Sequence, residues 1–387
     1  MTHAQHGRRV LIAMPFAKGT GMAWRYIERL VNDVARELER RGASAQVCYP
    51  SGADGASGVD EIDLDLYDGS IGALRHAQRE IRARLIDTIY FAHDEAFAVR
   101  YLAARIAGVR RIVCHYHHAG GATGPARGLP RLARAFRRRI PGYMADHAIC
   151  VSGFVRQLVI DASLVPSERV SVVHNGILPE DELTAATARA LRDEWRWRLG
   201  VASDEPLVVC ASRANLEKGL DTLLAGFDAL CTLHVRDGRP LPRLAYAGDG
   251  PHLELLEEQR RSLGHGDRIT FLGRTDAVTV RALLCAADVA ALVPRYEEAF
   301  GLFAVEAMQQ GVPVVLTRRG GLAEVIVDGR GGHYVPCDDV PVLGRTLHRM
   351  LADGPALGRM GAEARERART AFPHQRSTTR ITELLLD

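Results

Sequence analysis

Two glutamates, Glu298 and Glu306, are separated by seven residues. Carboxylates accept hydrogen bonds in pairs, which suits the vicinal hydroxyls of a sugar. Arg213 and Lys218 stand five residues apart with Gly219 directly behind, so two fixed cations precede a helix start, a combination that fits a diphosphate. His115, His117 and His118 follow an apolar run, in the place where open α/β sheets keep their chemistry. Each group also has a plainer reading. Glutamates favour helix starts in any case, a lone Arg and Lys are ordinary surface residues, and a histidine past a strand is often solvated or capping.

The elements around these residues must bring them together. Asp288 to Val293 is an apolar run with the length of a buried parallel strand. The turn Tyr296–Gly301 carries Glu298, and a helix over 302–310 carries Glu306. The amides of Gly301, Leu302 and Phe303 open that helix toward an anion. Gly311 ends it, Val312 to Leu316 forms the next strand, and Gly320-Gly321 lead into another helix. Earlier in the chain, apolar strands are expected at 9–14, 46–49, 61–66, 87–92, 111–116, 146–151 and 170–173, with helices at 23–41 and 96–107 and one beginning at the cap Ser152. Past Pro179 the chain turns polar and helical over 180–199, which places a hinge there. Strands at 207–212, 244–247 and 269–272 repeat the alternation, and the chain is helical from Gly354 onward. Strand and helix alternate throughout, the pattern of doubly wound α/β sheets.

The chain has 387 residues, enough for two domains, one over 1–179 and one over 190–371, with 372–387 as a closing helix. Net charge is +3, from 50 basic and 47 acidic residues, too balanced for a nucleic-acid partner. No apolar run reaches the ~18 residues of a membrane span, and the opening apolar run is too short for a signal peptide. Seven scattered cysteines, none in C-x-x-C spacing, read as reduced thiols of a cytoplasmic protein. The frame Gly19-Thr20-Gly21-Met22-Ala23-Trp24 lacks the third glycine of a dinucleotide fingerprint, which disfavours NAD. Asp63-x-Asp65 lies on a strand where outward aspartates are ordinary, and no carboxylate or cysteine is in register to complete a metal site at the histidines. Residues 127–140 form a basic amphipathic stretch with six arginines. It reads as a solvated helix packed on its domain or, alternatively, as a peripheral contact with the inner face of a membrane.

The string EEAFGLFAVEAMQQGVPVV, followed by GGLAEVIVDGRGG, closely resembles the donor site of family 4 retaining glycosyltransferases of the GT-B fold. The likeness is strong in the second half of the chain and loose in the first. It implies two Rossmann-like domains facing across a cleft, and transfer of a sugar from a nucleotide-diphosphate sugar to a hydroxyl acceptor with retention. The resemblance assigns Arg213 and Lys218 to the leaving diphosphate, Glu306 to ribose hydroxyls, and Glu298 with the amides of Ala299, Phe300 and Gly301 to the donor sugar. It adds Leu302 at the helix mouth, and Gly21, Gly248 and Arg274 along the donor, with the base read by main chain near Gly273-Arg274. It puts His117 beside the reacting sugar, with His118 as competitor, and needs neither metal nor cofactor beyond the co-substrate. Polysaccharide, glycolipid and other glycoconjugate acceptors all fit, and so does a small-molecule natural product. A nucleotide-sugar epimerase of the same architecture, using Asp94 and Glu95, remains open beside a sugar-binding protein and an oxidoreductase. Sugar, base and acceptor are not specified.

Overall fold

The computed structural model describes residues 7–19, 22–119, 140–162 and 165–387. The chain divides into two compact units, one comprising the residues up to Gly176 together with His374–Asp387, the other Ile177–Pro373.

The first unit carries a seven-stranded sheet. Its strands are β1 (Arg9–Ala13), β2 (Ser44–Tyr49), β3 (Asp60–Asp63), β4 (Thr88–Phe91), β5 (Arg111–Tyr116), β6 (His147–Cys150) and β7 (Val170–Val172). Their order is β3-β2-β1-β4-β5-β6-β7, every neighbour parallel. Residues of β1 and β4 are almost wholly buried, which is why they read as unbroken apolar runs. Helices α1 (Met22–Arg40), α2 (Ile71–Ala83), α3 (Val99–Ala107) and α4 (Gly153–Asp161) cross between strands. Ser152 caps α4 by accepting a bond from the Val155 amide at 3.2 Å.

The second unit repeats the plan with β8 (Leu207–Ala211), β9 (Arg243–Ala247), β10 (Ile269–Phe271), β11 (Val289–Leu292), β12 (Val314–Thr317) and β13 (Gly332–Val335). Their order is β10-β9-β8-β11-β12-β13, again parallel. Its helices are α5 (Ala185–Arg198), α6 (Leu220–Arg236), α7 (Leu253–Ser262), α8 (Ala277–Ala286), α9 (Leu302–Gln309), α10 (Val340–Ala352) and α11 (Gly354–Ala371). Phe227, Leu230, Leu223, Leu244 and Val289 are among its buried core. In each sheet the chain reverses its winding beside the first strand, between β1 and β4 and between β8 and β11, the switch points at which such sheets bind ligands.

The final helix, α12 (His374–Leu386), belongs to the first unit. His374 Nε2 meets Asp33 Oδ2 at 2.8 Å, Ser377 Oγ donates to the His174 carbonyl at 2.7 Å, and Arg111 donates to the Leu384 carbonyl at 2.8 Å. The polar segment past Pro179 is anchored to the second unit, because α5 turns two arginines onto Asp288. Arg192 Nη2 reaches Asp288 Oδ1 at 2.7 Å and Arg196 Nη1 reaches Oδ2 at 3.1 Å, while that carboxylate also accepts the Leu207 amide at 2.8 Å.

Several element boundaries differ from the sequence pattern for local reasons. β3 stops at Asp63 because Asp65 turns the chain, accepting the amides of Tyr67 and Asp68 at 2.7 and 3.1 Å. α3 starts at Val99, not Ala96, because the Ala96 and Ala98 amides are taken by the Tyr116 hydroxyl and the Tyr143 carbonyl. β12 starts at Val314 because the Val312 amide still closes α9 on the Ala307 carbonyl at 3.0 Å.

Candidate active site

The site is built at the carboxyl edge of the second sheet. After β8 the chain runs through Arg213, which is exposed, and a short 3-10 turn, Leu216–Lys218, into α6. Gly219 joins turn to helix at φ 67°, where a Cβ would lie 2.0 Å from the Val293 carbonyl oxygen just past β11. Only glycine allows both the backbone angle and that approach, so the β8 and β11 loops touch at this point.

Lys218 Nζ lies 3.1 Å from Glu298 Oε2 and also bonds the Tyr296 hydroxyl, which donates to the same carboxylate oxygen. The ammonium sits 4.5 Å from the centre of the Tyr296 ring. Burial, then the Glu298 charge, pushes the Tyr296 phenol far up, so it stays protonated and donates. The residue assigned to the diphosphate and the residue assigned to the sugar therefore form one cluster in this structure. Lys218 and Glu298 both remain partly exposed, at 19% and 17% of their side chains, and a ligand can reach either.

The loop carrying Glu298 is fixed from behind. The Gly321 amide donates to the Glu298 carbonyl at 2.7 Å. A Cβ on Gly320 would lie 2.2 Å from that carbonyl oxygen, and one on Gly321 would lie 2.1 Å from the carbonyl oxygen of Ala299. Phe300 is buried with its ring edge-on to Phe372 at 5.4 Å. Gly301, at φ 99°, is the N-terminal cap of α9, whose first residue is Leu302, and Glu306 is half-buried one turn further on. Past β9, the Gly248 amide donates to the Gly273 carbonyl at 2.8 Å. Arg274 is exposed and pairs only loosely with Asp249, at 3.3 Å.

Arg295 escaped the sequence reading. Its guanidinium grips Asp221 through two bonds of 2.6 Å and Asp338 through another of 2.6 Å, and it reaches the Leu216 carbonyl at 2.8 Å and Thr222 Oγ1 at 2.9 Å. Those carboxylates, Asp221 foremost, hold it firmly charged. Tyr296 was likewise read only as the start of a turn. The sole local signal for either was position, since both lie between an apolar strand and Glu298.

At the carboxyl edge of the first sheet, His93 follows β4 while His115, His117 and His118 end or follow β5. The His115 and His117 rings are 4.0 Å apart, and His93 stacks on His117 at 5.9 Å. Tyr90 OH meets His115 Nδ1 at 2.6 Å. Burial lowers all three pKa values, His93 to about 4 and His115 to about 3, with His117 well below its usual value. His117 Nε2 is buried without a hydrogen-bond partner. Asp94, a candidate acid/base, is instead committed to Arg100 at 2.8 and 2.7 Å and to Tyr101 OH at 3.0 Å. Gly21 and residues 127–139 lie outside the described residues. Among the described residues no helix is long and apolar enough to cross a membrane, and no group of three His, Cys, Asp or Glu could hold a metal ion.

Comparison with known proteins gives the family. Residues 27–181 match the family pattern Glycosyltransferase Family 4, and residues 192–367 match Glycosyl transferases group 1. A GDP-mannose-dependent alpha-(1-6)-phosphatidylinositol monomannoside mannosyltransferase of Mycolicibacterium smegmatis is 32% identical over 308 residues, 78% of this chain and 76% of the relative. The chain belongs to glycosyltransferase family 4. The fold of this glycosyltransferase is that of a Rickettsia africae glycosyltransferase (TM-score 0.78, 17% identity, 98% of each chain). It is equally that of Anabaena Alr3699/HepE in complex with UDP and glucose (TM-score 0.76, 22% identity, 97% of this chain and 98% of that one). The architecture is GT-B, two parallel-sheet α/β units, and the reaction class is glycosyl transfer from a nucleotide sugar.

Proposed function

We propose that this glycosyltransferase moves a hexose, with retention at the anomeric carbon, from a guanosine diphosphate sugar to a hydroxyl of a glycolipid. The Lys218–Tyr296–Glu298 cluster at the β8/β11 switch point carries the reading, because it sets a cation and a sugar-binding carboxylate side by side at a helix mouth. The guanine base, the mannose and the lipid acceptor rest on the mycobacterial relative named above.

In this reading Lys218 exchanges Glu298 for the donor diphosphate, with Arg213 and the start of α9 completing the positive field. Glu298, released, accepts hydroxyls of the sugar together with the amides of the Ala299–Gly301 loop, and Glu306 holds the ribose. Gly248 and Arg274 border the nucleotide. His117 turns its Nε2 to the transferred sugar. The acceptor oxygen forms its bond to the anomeric carbon as the bond to the diphosphate oxygen breaks. That diphosphate oxygen takes the acceptor proton, so the product keeps the donor's anomeric configuration. Lys218 and Arg213 stabilise the growing charge, and activity persists in a chelator. A lipid acceptor would bring the enzyme to a membrane surface, and the six arginines of 127–140 fit the anionic inner face of one.

A thermal-shift panel of nucleoside diphosphates and their sugars, followed by proton NMR of the product, tests the reading. Stabilisation by GDP and GDP-mannose above the uridine and adenosine counterparts is expected, with an α-linked product on a phosphatidylinositol mannoside acceptor. A β-linked product would sink retention. Stabilisation by UDP alone would sink the guanosine donor, and indifference to every nucleotide would sink the site.

A further inference from the structure

We propose that Arg295 is the positioning residue that holds Lys218 and Glu298 at the separation the donor requires. The inference rests on the donor-site reading above and adds a residue to it.

Two separate segments of the chain meet at this guanidinium. The turn after β8 contributes the Leu216 carbonyl, and the first turn of α6 contributes Asp221 and Thr222. The turn after β13 contributes Asp338. Arginine has five N–H donors in a rigid fork, and all five are used here. The acceptors are tied to one another as well, since Thr222 Oγ1 donates to Asp338 Oδ1 at 2.8 Å. Asp338 sits at φ 58°, in the left-handed region that aspartate tolerates better than most residues, and this turn aims its carboxylate at the knot.

The knot lies directly behind the cluster that meets the donor. Lys218 is two residues beyond Leu216, and Glu298 is three residues beyond Arg295. The main chain is stitched at the same place, where the Arg295 amide donates to the Glu217 carbonyl at 2.8 Å. Lys218 and Glu298 sit on loops from different strands, and their own contact breaks when each turns to the donor. The Arg295 knot does not depend on that contact, so it keeps the loops in register through the exchange. Displacement of such groups by about 1 Å costs on the order of a hundredfold in rate. A lysine cannot replace the fork, because an ammonium has three N–H donors on one nitrogen and cannot make the five spread bonds that the guanidinium makes.

The test begins with the affinity of the wild-type enzyme for GDP and UDP. Failure to bind either would remove the donor-site reading, and this inference with it, before any variant is made. In Arg295→Lys, kcat should fall by about a hundredfold, while the Kd for the bound nucleotide changes by less than about threefold and the melting temperature by only a few degrees. Asp338→Asn takes the charge off one arm while Asp221 still pairs the guanidinium, and should lower kcat by about tenfold at unchanged nucleotide affinity. A kcat near wild type in Arg295→Lys overturns the role, and so does a loss of kcat matched by equal losses in nucleotide affinity and melting temperature. If Arg295→Lys does not fold, Asp338→Asn decides by the same criteria.

Discussion

The two sheets share one strand order over six strands and reverse at the same point, yet their carboxyl edges hold opposite kinds of chemistry. At β8/β11 the side chains form ion pairs and are partly open, with Lys218 on Glu298 and Arg295 on Asp221 and Asp338. At β4/β5 they are imidazoles, His115 wholly buried and His93 and His117 partly so, and burial lowers the pKa of all three. The contrast teaches that topology chooses where a ligand lands, whereas burial and charge choose what it meets there. An edge rich in fixed charge suits a diphosphate. An edge of neutral imidazoles suits uncharged hydroxyls, to which it offers a hydrogen bond without the cost of desolvating an ion.

The sharpest break of that contrast is Lys218→Ala. The cation is most valuable as charge accumulates on the leaving diphosphate, so kcat should fall by roughly 10²–10³ while donor affinity falls much less. Steady-state kinetics together with calorimetry of nucleotide binding separate the two quantities. Equal losses in both would make Lys218 a simple binding group and reduce the second edge to a passive cradle.

Acid should separate the two edges next. The imidazoles of His93 and His115 have folded pKa values of about 4 and about 3, below the ordinary ~6.5, and burial is the main cause. His147, also in the first unit, is lowered to about 4. Between pH ~6.5 and those values the unfolded chain takes up protons that the folded first unit refuses. The stability these groups contribute is therefore complete above pH ~6.5 and is lost as pH falls through that window, by on the order of a few kcal/mol. Hydrogen exchange resolved by peptide, corrected for intrinsic rates, should show the first unit opening before the second at pH 5. Simultaneous opening would mean that the histidines are not as dry as they look.

How much of this was readable beforehand follows from how local each feature is. Glu298, Gly301, Glu306, Gly320 and Gly321 fall within 24 residues of chain, so the loop, the helix mouth and the glycines that lock them could be seen together in the sequence. The family resemblance put Lys218, 80 residues before Glu298, on the same donor, but the contact between the two is seen only in the structure. Arg295 stayed hidden because its partners lie 74 residues before it, at Asp221, and 43 after it, at Asp338, and no local pattern announces a fork that joins segments so far apart. The histidines were visible as a run, but not their neutrality, which depends on how β4 and β5 pack. The helix α2 was missed although Ser70 was there as its cap, accepting the Ala73 amide at 3.2 Å, because only two of its residues are buried and its apolar stripe is thin. The strand β13 is four residues long and starts on a glycine, too short for a period to show.

The finest test applies one substitution to both edges. Each has a tyrosine hydroxyl set against a site residue, Tyr296 on Glu298 and Tyr90 on His115. Tyr296→Phe keeps the ring beneath the Lys218 ammonium and removes only the hydroxyl, so the carboxylate loses a partner it needs when Lys218 turns to the diphosphate. A fall of roughly three- to tenfold in kcat/KM, worth about 1 kcal/mol, is expected with little change in melting temperature. Tyr90→Phe lies wholly within the core and leaves His115 Nδ1 buried without its hydrogen-bond partner. It should cost about 1 kcal/mol of stability in a denaturant titration while turnover stays near normal. If instead Tyr90→Phe slows turnover and Tyr296→Phe only softens the fold, the charged edge would be scaffold and the imidazole edge would hold the reacting groups, reversing the roles assigned to the two sheets.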